Sequence, residues 1–189
     1  MTARLTAREL LFLFALGATG GLVGDAAAVS AGTTRYLDHS VPFVWESPIW
    51  FPILVGLGTA ALGDLRLRLG PPRPGFDLRT GIGAFAAVIA IYALTSTLGD
   101  DGLASTTLVL ALGVLAVSLL ADGRPAVICA LAAAMVGPLV EIAIVELDLS
   151  EYSDPNDALF GVGFWLPGLY LAFGVTVARL AELLVAARR

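Results

Sequence analysis

Six long apolar stretches, at about 9–28, 49–65, 80–98, 103–121, 126–147 and 159–185, take up nearly all of this 189-residue chain. A helix needs about 20 consecutive apolar residues to cross the hydrocarbon core of a bilayer, where only helices or closed barrels satisfy every backbone polar group. The spacing therefore predicts an all-α polytopic membrane protein: one domain of six transmembrane helices, with no room for a second, soluble one. The composition agrees, at 58% hydrophobic and 14% charged residues, against about 25% charged in soluble domains.

Turn signals separate the stretches. The run GPPRPG from Gly70 to Gly75 cannot continue a helix, because its prolines lack an amide donor and fix φ. Asp100, Asp101 and Gly102 predict a tight hairpin, and Asp122 to Pro125 predict another, with Pro125 as an early helical residue.

Arginines set the topology, since cytoplasmic loops collect positive charge. With six spans, Arg4, Arg8, Arg66, Arg68, Arg73, Arg79, Arg124, Arg179, Arg188 and Arg189 fall on one side and only Arg35 on the other. Acidic residues such as Asp38, Glu46, Asp148 and Glu151 gather opposite. Both termini are therefore expected in the cytoplasm. Arg4 and Arg8 before an apolar run also fit a cleavable signal peptide, whose removal would leave five spans.

Carboxyls inside a bilayer are costly and are functional candidates by default. Asp25 and Glu141 sit furthest from the ends of their stretches. Glu141 has no evident titratable partner in the sequence, so a carboxyl that reaches water or stays protonated competes there with a cavity anchor or proton relay. His39 is the one histidine, next to Ser40 in a loop, and Cys129 is the one cysteine. These supply neither a nucleophile–base–orienter set nor a set of zinc ligands. Basic-patch recognition of nucleic acid is not expected at a net charge of −5.

Mid-membrane polar side chains are few; Tyr92, Thr95, Ser105 and Ser118 are among them. A water-filled pore needs more, whereas a lipid pocket is mostly apolar with a few placed polar groups. Pro138 and Pro167 are expected to kink the fifth and sixth helices and open a cavity. Gly56, Gly58, Gly81, Gly83, Gly161 and Gly163 are expected to permit close packing. Tyr36, Trp45, Trp50, Tyr152 and Trp165 read as an interfacial aromatic belt.

Five motifs occur in a recognisable order: SPIWFP (Ser47 to Pro52), LGPP (Leu69 to Pro72), the D-x-R turn from Asp122 to Arg124, YSDP (Tyr152 to Pro155) and WLP (Trp165 to Pro167). This pattern resembles the Insig (insulin-induced gene) proteins, which span the membrane six times with both termini in the cytosol. The resemblance runs from about Arg8 to Leu184, so it covers the first helix and weighs against a cleaved leader. It implies an endoplasmic-reticulum family that binds oxysterol within the bundle, retains a sterol-sensing escort protein and promotes degradation of a reductase of sterol synthesis. The family's escort-binding aspartate corresponds to Asp122. Its helix-four glutamine and tryptophan near the sterol fall on Ser105 and Ser118, so the pocket's location carries over and its occupant does not. All eleven basic residues are arginine, a bias of GC-rich bacterial genomes.

The expected protein is therefore a non-catalytic lipid-binding membrane protein, in the inner membrane if bacterial. It would hold a sterol-like or two-tailed lipid such as diacylglycerol near Tyr92, Thr95, Ser105 and Ser118, with a membrane-protein partner at Asp122 and Arg124. No cofactor is expected beyond that lipid, and the glycine-rich faces allow a homo-oligomer. The rival reading is an intramembrane enzyme or transporter working through Glu141 and Asp25.

Overall fold

The computed structural model describes residues 4–37, 41–73, 75–98, 102–154 and 156–188. His39, Ser40, Asp38, Asp100, Asp101, Pro155 and Arg189 lie outside the described residues. Among the described residues there are six helices, α1 (Ala7–Ser30), α2 (Trp50–Arg68), α3 (Leu78–Thr97), α4 (Gly102–Leu120), α5 (Arg124–Glu146) and α6 (Leu166–Ala186). Each is long and apolar enough to cross a membrane.

The helix ends follow local chemistry. Thr6 and Glu9 form a capping box at α1: the Thr6 amide donates to Glu9 Oε2 at 2.6 Å, and the Glu9 amide donates back to Thr6 Oγ1. The far end of α1 closes with Gly32 at φ +73°, where the Gly32 and Thr33 amides donate to the Val29 and Ala28 carbonyls. Asp148 does the same after α5 at φ +55°, an αL position that Asp tolerates. At the start of α5, Pro125 stands in the first turn as expected.

Two short antiparallel pairs join helix ends at the acidic side. β1 (Thr34–Tyr36) pairs with β4 (Ser150–Tyr152), and β2 (Phe43–Val44) pairs with β3 (Ser47–Pro48). Arg35, the lone arginine of this side, pairs with Glu151 directly across the ladder, Nε to Oε1 at 2.8 Å. β1 leaves α1 and β4 leaves α5, so the ladder fixes where those two helices end relative to each other.

α6 is the axis of the bundle, packed against the other five helices. Its small residues explain why: at Gly168 an added Cβ would lie 2.7 Å from Leu110 Cα and from the Val109 carbonyl of α4. Gly174 meets Ala130 and Cys129 of α5 in the same way. These backbone-to-backbone approaches are the small-residue packing that drives association where lipid removes the hydrophobic drive.

Four expectations change. α6 begins at Leu166 rather than near 159, because Phe160 and Gly161 take positive φ and Leu159 bridges to Val162 in a tight turn. Pro167 therefore sits in the first turn of α6, where its missing amide costs nothing and no kink follows. Pro138 does lie inside α5, which continues through it to Glu146. Among the glycines, Gly56 packs on Phe14 and Gly81 lies near Leu180, but Gly58 and Gly83 face open space. The aromatic belt is also only partly a belt: Trp45 is exposed, whereas Tyr36, Tyr152 and Trp165 are buried inside the protein.

Candidate functional site

The bundle encloses a cavity of about 370 Å³ between α1, α2, α3, α5 and α6. Along α2 it is lined from Phe51 to Leu65, a length of about 20 Å at about 1.5 Å per residue. Leu54 on α2 and Val136 on α5 line it while remaining 38% and 58% exposed, so it reaches the outside of the bundle between those helices. Among the described residues, three lining side chains are polar: Tyr92, Glu141 and Tyr170. Tyr92 lies five residues before the end of α3, Glu141 five before the end of α5, and Tyr170 four after the start of α6. All three therefore stand at one depth, about 6–8 Å below the acidic rim.

Glu141 is not solitary. Tyr170 donates to its Oε1 at 3.0 Å and Tyr152 to its Oε2 at 3.3 Å. Asp25, buried five residues before the end of α1, accepts from the Tyr36 hydroxyl at 2.9 Å and from Ser47 Oγ, and the Tyr92 hydroxyl lies near it. Tyr92 is thus the link from the cavity wall back to Asp25. Outside the spans, burial first and the neighbouring carboxyls second push the Tyr36 and Tyr152 hydroxyls well above the usual phenol range. Both phenols stay protonated and act as donors.

The fold places these groups through close approaches. Tyr92 lies flat against Gly24 and Tyr170 against Gly137, where any Cβ would collide with the ring. The β1–β4 register sets Thr34 opposite Tyr152 and Tyr36 opposite Ser150, which turns both phenols inward. Tyr152 and Tyr92 then flank Trp165 at ring separations of 6.2 and 6.3 Å.

Of the four ligand contacts expected from sequence, Tyr92 lines the cavity and the other three do not. Thr95 is buried one turn on and donates to the Tyr92 carbonyl at 2.6 Å. Ser105 is buried in α4 with no hydrogen-bond partner for its hydroxyl among the described residues. Ser118 is exposed and turned back onto the Val114 carbonyl at 2.9 Å. α4 packs behind α6, which separates it from the cavity. The expectation that Glu141 has no partner is also corrected: Tyr152 and Tyr170, eleven and 29 residues away in sequence, hold it.

The opposite, arginine-rich end carries a second polar cluster. Arg66 of α2 and Arg179 of α6 both bond to Glu182, and all three are buried. Arg66 also donates to the Gly70 and Pro71 carbonyls at 3.2 Å, tying down the turn after α2. Half-exposed Asp122 pairs with Arg73 at 3.2 Å and Arg179 at 3.6 Å, so it is engaged within the chain. Arg124 is exposed at the first position of α5. Among the described residues no group of three or more His, Cys, Asp or Glu side chains converges as a metal site would require.

No family model matches the chain. A protein of Mycolicibacterium vanbaalenii described as an INSIG protein homolog is 46% identical over 186 residues, which is 98% of this chain and 91% of that protein. The chain belongs to the Insig family. The fold agrees: the crystal structure of a mycobacterial Insig homolog, MvINS from Mycobacterium vanbaalenii, matches with a TM-score of 0.94 at 45% identity, covering 99% of this chain and 98% of the other. A cross-linked trimer of a cysteine variant of MvINS matches at 0.93 and 44% identity with the same coverage. The six-helix bundle and the cavity-facing Glu141 cluster are thus features of an Insig-family membrane protein.

Proposed function

We propose that this protein binds a membrane lipid in its central cavity without transforming it. The observation that carries this is the lining itself: a long apolar chamber, open between α2 and α5, whose polar groups are confined to one end. That division matches an amphipathic molecule with one polar end and an extended apolar body. The occupant is a sterol-like or two-tailed lipid such as diacylglycerol, in the inner membrane of a bacterium, with both termini cytoplasmic. The exposed Asp122–Arg124 turn is the face offered to a membrane-protein partner, and the cross-linked trimer of the relative supports self-association.

Mass spectrometry of lipid extracted from the purified protein tests this reading. A retained, near-stoichiometric lipid is expected, and protein that retains and exchanges none would overturn it.

The rival, an enzyme or transporter acting through Glu141 and Asp25, draws on one observation, that phenol hydroxyls hold both carboxyls inside the bundle. Under it, Glu141→Gln abolishes an activity and leaves lipid retention unchanged. The lipid reading expects retention itself to change.

A further inference from the structure

Two arginines of the arginine-rich end come together at the turn between α4 and α5. The Arg73 guanidinium lies against Gly123, where an added Cβ would come within 2.6–2.8 Å of its nitrogens and central carbon. Arg124 follows directly, as the first residue of α5. Arg73 bonds to Asp122 Oδ1 at 3.2 Å and stays half-exposed, which uses few of a guanidinium's five N–H donors. Arg124 is exposed and forms no ion pair among the described residues.

Charge around this turn is not balanced. Arg66, Arg73 and Arg179 already share the two carboxylates Glu182 and Asp122, and Arg124 adds a further cation with no acid of its own. The first turn of α5 contains no acidic residue and its N-cap makes no side-chain hydrogen bond, so the positive end of the helix dipole adds to Arg124 instead of offsetting it. Other exposed arginines of this end have acids at hand: Arg68 pairs with Asp64, Arg188 pairs with Glu9, and the Asp77 carboxyl interacts with Arg79. The α4–α5 turn is thus a place where an anion from outside the chain is favoured.

The surface next to it says which anion. Ile128, Leu131 and Met135 follow Arg124 along α5 at a helical spacing that keeps them on one face, and all three are exposed. Arg124 begins a membrane-crossing helix, so this face runs from the headgroup level into the hydrocarbon. We infer that Arg73 and Arg124 hold the anionic headgroup of a phospholipid in the leaflet at the arginine-rich end, with its acyl chains along the Ile128, Leu131 and Met135 face of α5. None of these residues lines the central cavity, so this site stands apart from it and does not depend on what fills it.

Native mass spectrometry of the purified full-length protein in detergent tests it. Dioleoyl phosphatidylglycerol and dioleoyl phosphatidylcholine are titrated separately into wild type, Arg124→Gln, the double variant Arg73→Gln, Arg124→Gln, the rim control Arg79→Gln, and Gly58→Phe, whose ring is directed into the central cavity. Wild type is expected to bind phosphatidylglycerol about tenfold or more tightly than phosphatidylcholine, and Arg124→Gln to lose about fivefold of that, one arginine's share of binding to an anionic lipid. The double variant is expected to show little preference, while Arg79→Gln and Gly58→Phe keep it within about twofold. Glycerol 3-phosphate at equal concentration is expected to displace none of the lipid, because it has no acyl chains to lie on α5.

Equal binding of the two lipids by wild type overturns the inference. So does a loss in Arg79→Gln as large as that in Arg124→Gln, which would make the attraction a diffuse property of the rim. Loss of the preference in Gly58→Phe would put the anionic lipid in the central cavity, and displacement by glycerol 3-phosphate would make the ligand a soluble phosphoester; either result also overturns it. Arg124 is exposed and pairs with no acid among the described residues, so its single variant decides the question even where the double variant does not fold.

Discussion

Arg66 of α2 and Glu182 of α6 are 116 residues apart in sequence and form an ion pair whose side chains are 0% and 1% exposed. Arg179 bonds to the other oxygen of the same carboxylate, so one glutamate serves two buried guanidiniums. Removing one partner of such a set leaves charge buried without compensation. Glu182→Ala is expected to destabilise the protein by about 3–5 kcal/mol, read as a large drop in the thermal unfolding midpoint in detergent. The double variant Arg66→Met, Glu182→Leu is expected to recover most of that loss, because Arg179 still has Asp122 beside it. A Glu182→Ala protein with unchanged stability contradicts this account.

The α4–α6 contact depends on backbone approach. Gly168→Ala forces a methyl against Leu110 and Val109 backbone atoms, and overpacking of this kind costs about 1–3 kcal/mol. Gly83→Ala, with nothing within 4 Å of the added carbon, is the control and is expected to be neutral or slightly stabilising. Unfolding midpoints of the two variants in one detergent give the comparison.

Asp77 caps α3 by accepting from the Thr80 amide at 2.8 Å, and that bond holds its carboxyl below the ordinary value of 3.8. A carboxyl with a lowered folded pKa contributes stability fully above its unfolded value and loses it as pH falls through the folded one. The stability difference between wild type and Asp77→Ala is therefore expected to be constant above about pH 4 and to close below it. A gap that persists unchanged into acid would show that the cap does not depend on the charge.

The six spans and their alternation were legible because length and hydropathy alone decide them, and the arginine count separates the two ends. The site was legible only in part. Glu141, Asp25 and Tyr92 stand out as polar groups in apolar stretches, but their partners Tyr152 and Tyr36 sit in short strands beyond the helices and look interfacial in sequence. The spans are apolar on every face, because lipid and protein core are equally apolar, so periodicity does not tell inward from outward. That is why Ser105 and Ser118 could not be separated from the cavity wall, and why Arg66 reads as a loop-side arginine although it is fully buried. The start of α6 was misplaced because a tight turn of apolar residues, Leu159 to Val162, resembles more helix.

The central claim is that a lipid occupies the cavity, and filling the cavity tests it most directly. Gly58 lines the chamber and an added Cβ there meets nothing within 4 Å, so Gly58→Phe directs a ring into that space. Native mass spectrometry of wild type and Gly58→Phe, purified identically, compares the lipid each retains. The account predicts a near-stoichiometric lipid adduct on the wild type and its loss from the variant, with thermal stability otherwise preserved. Equal lipid on both proteins would contradict it, because the bound molecule would then lie outside the cavity.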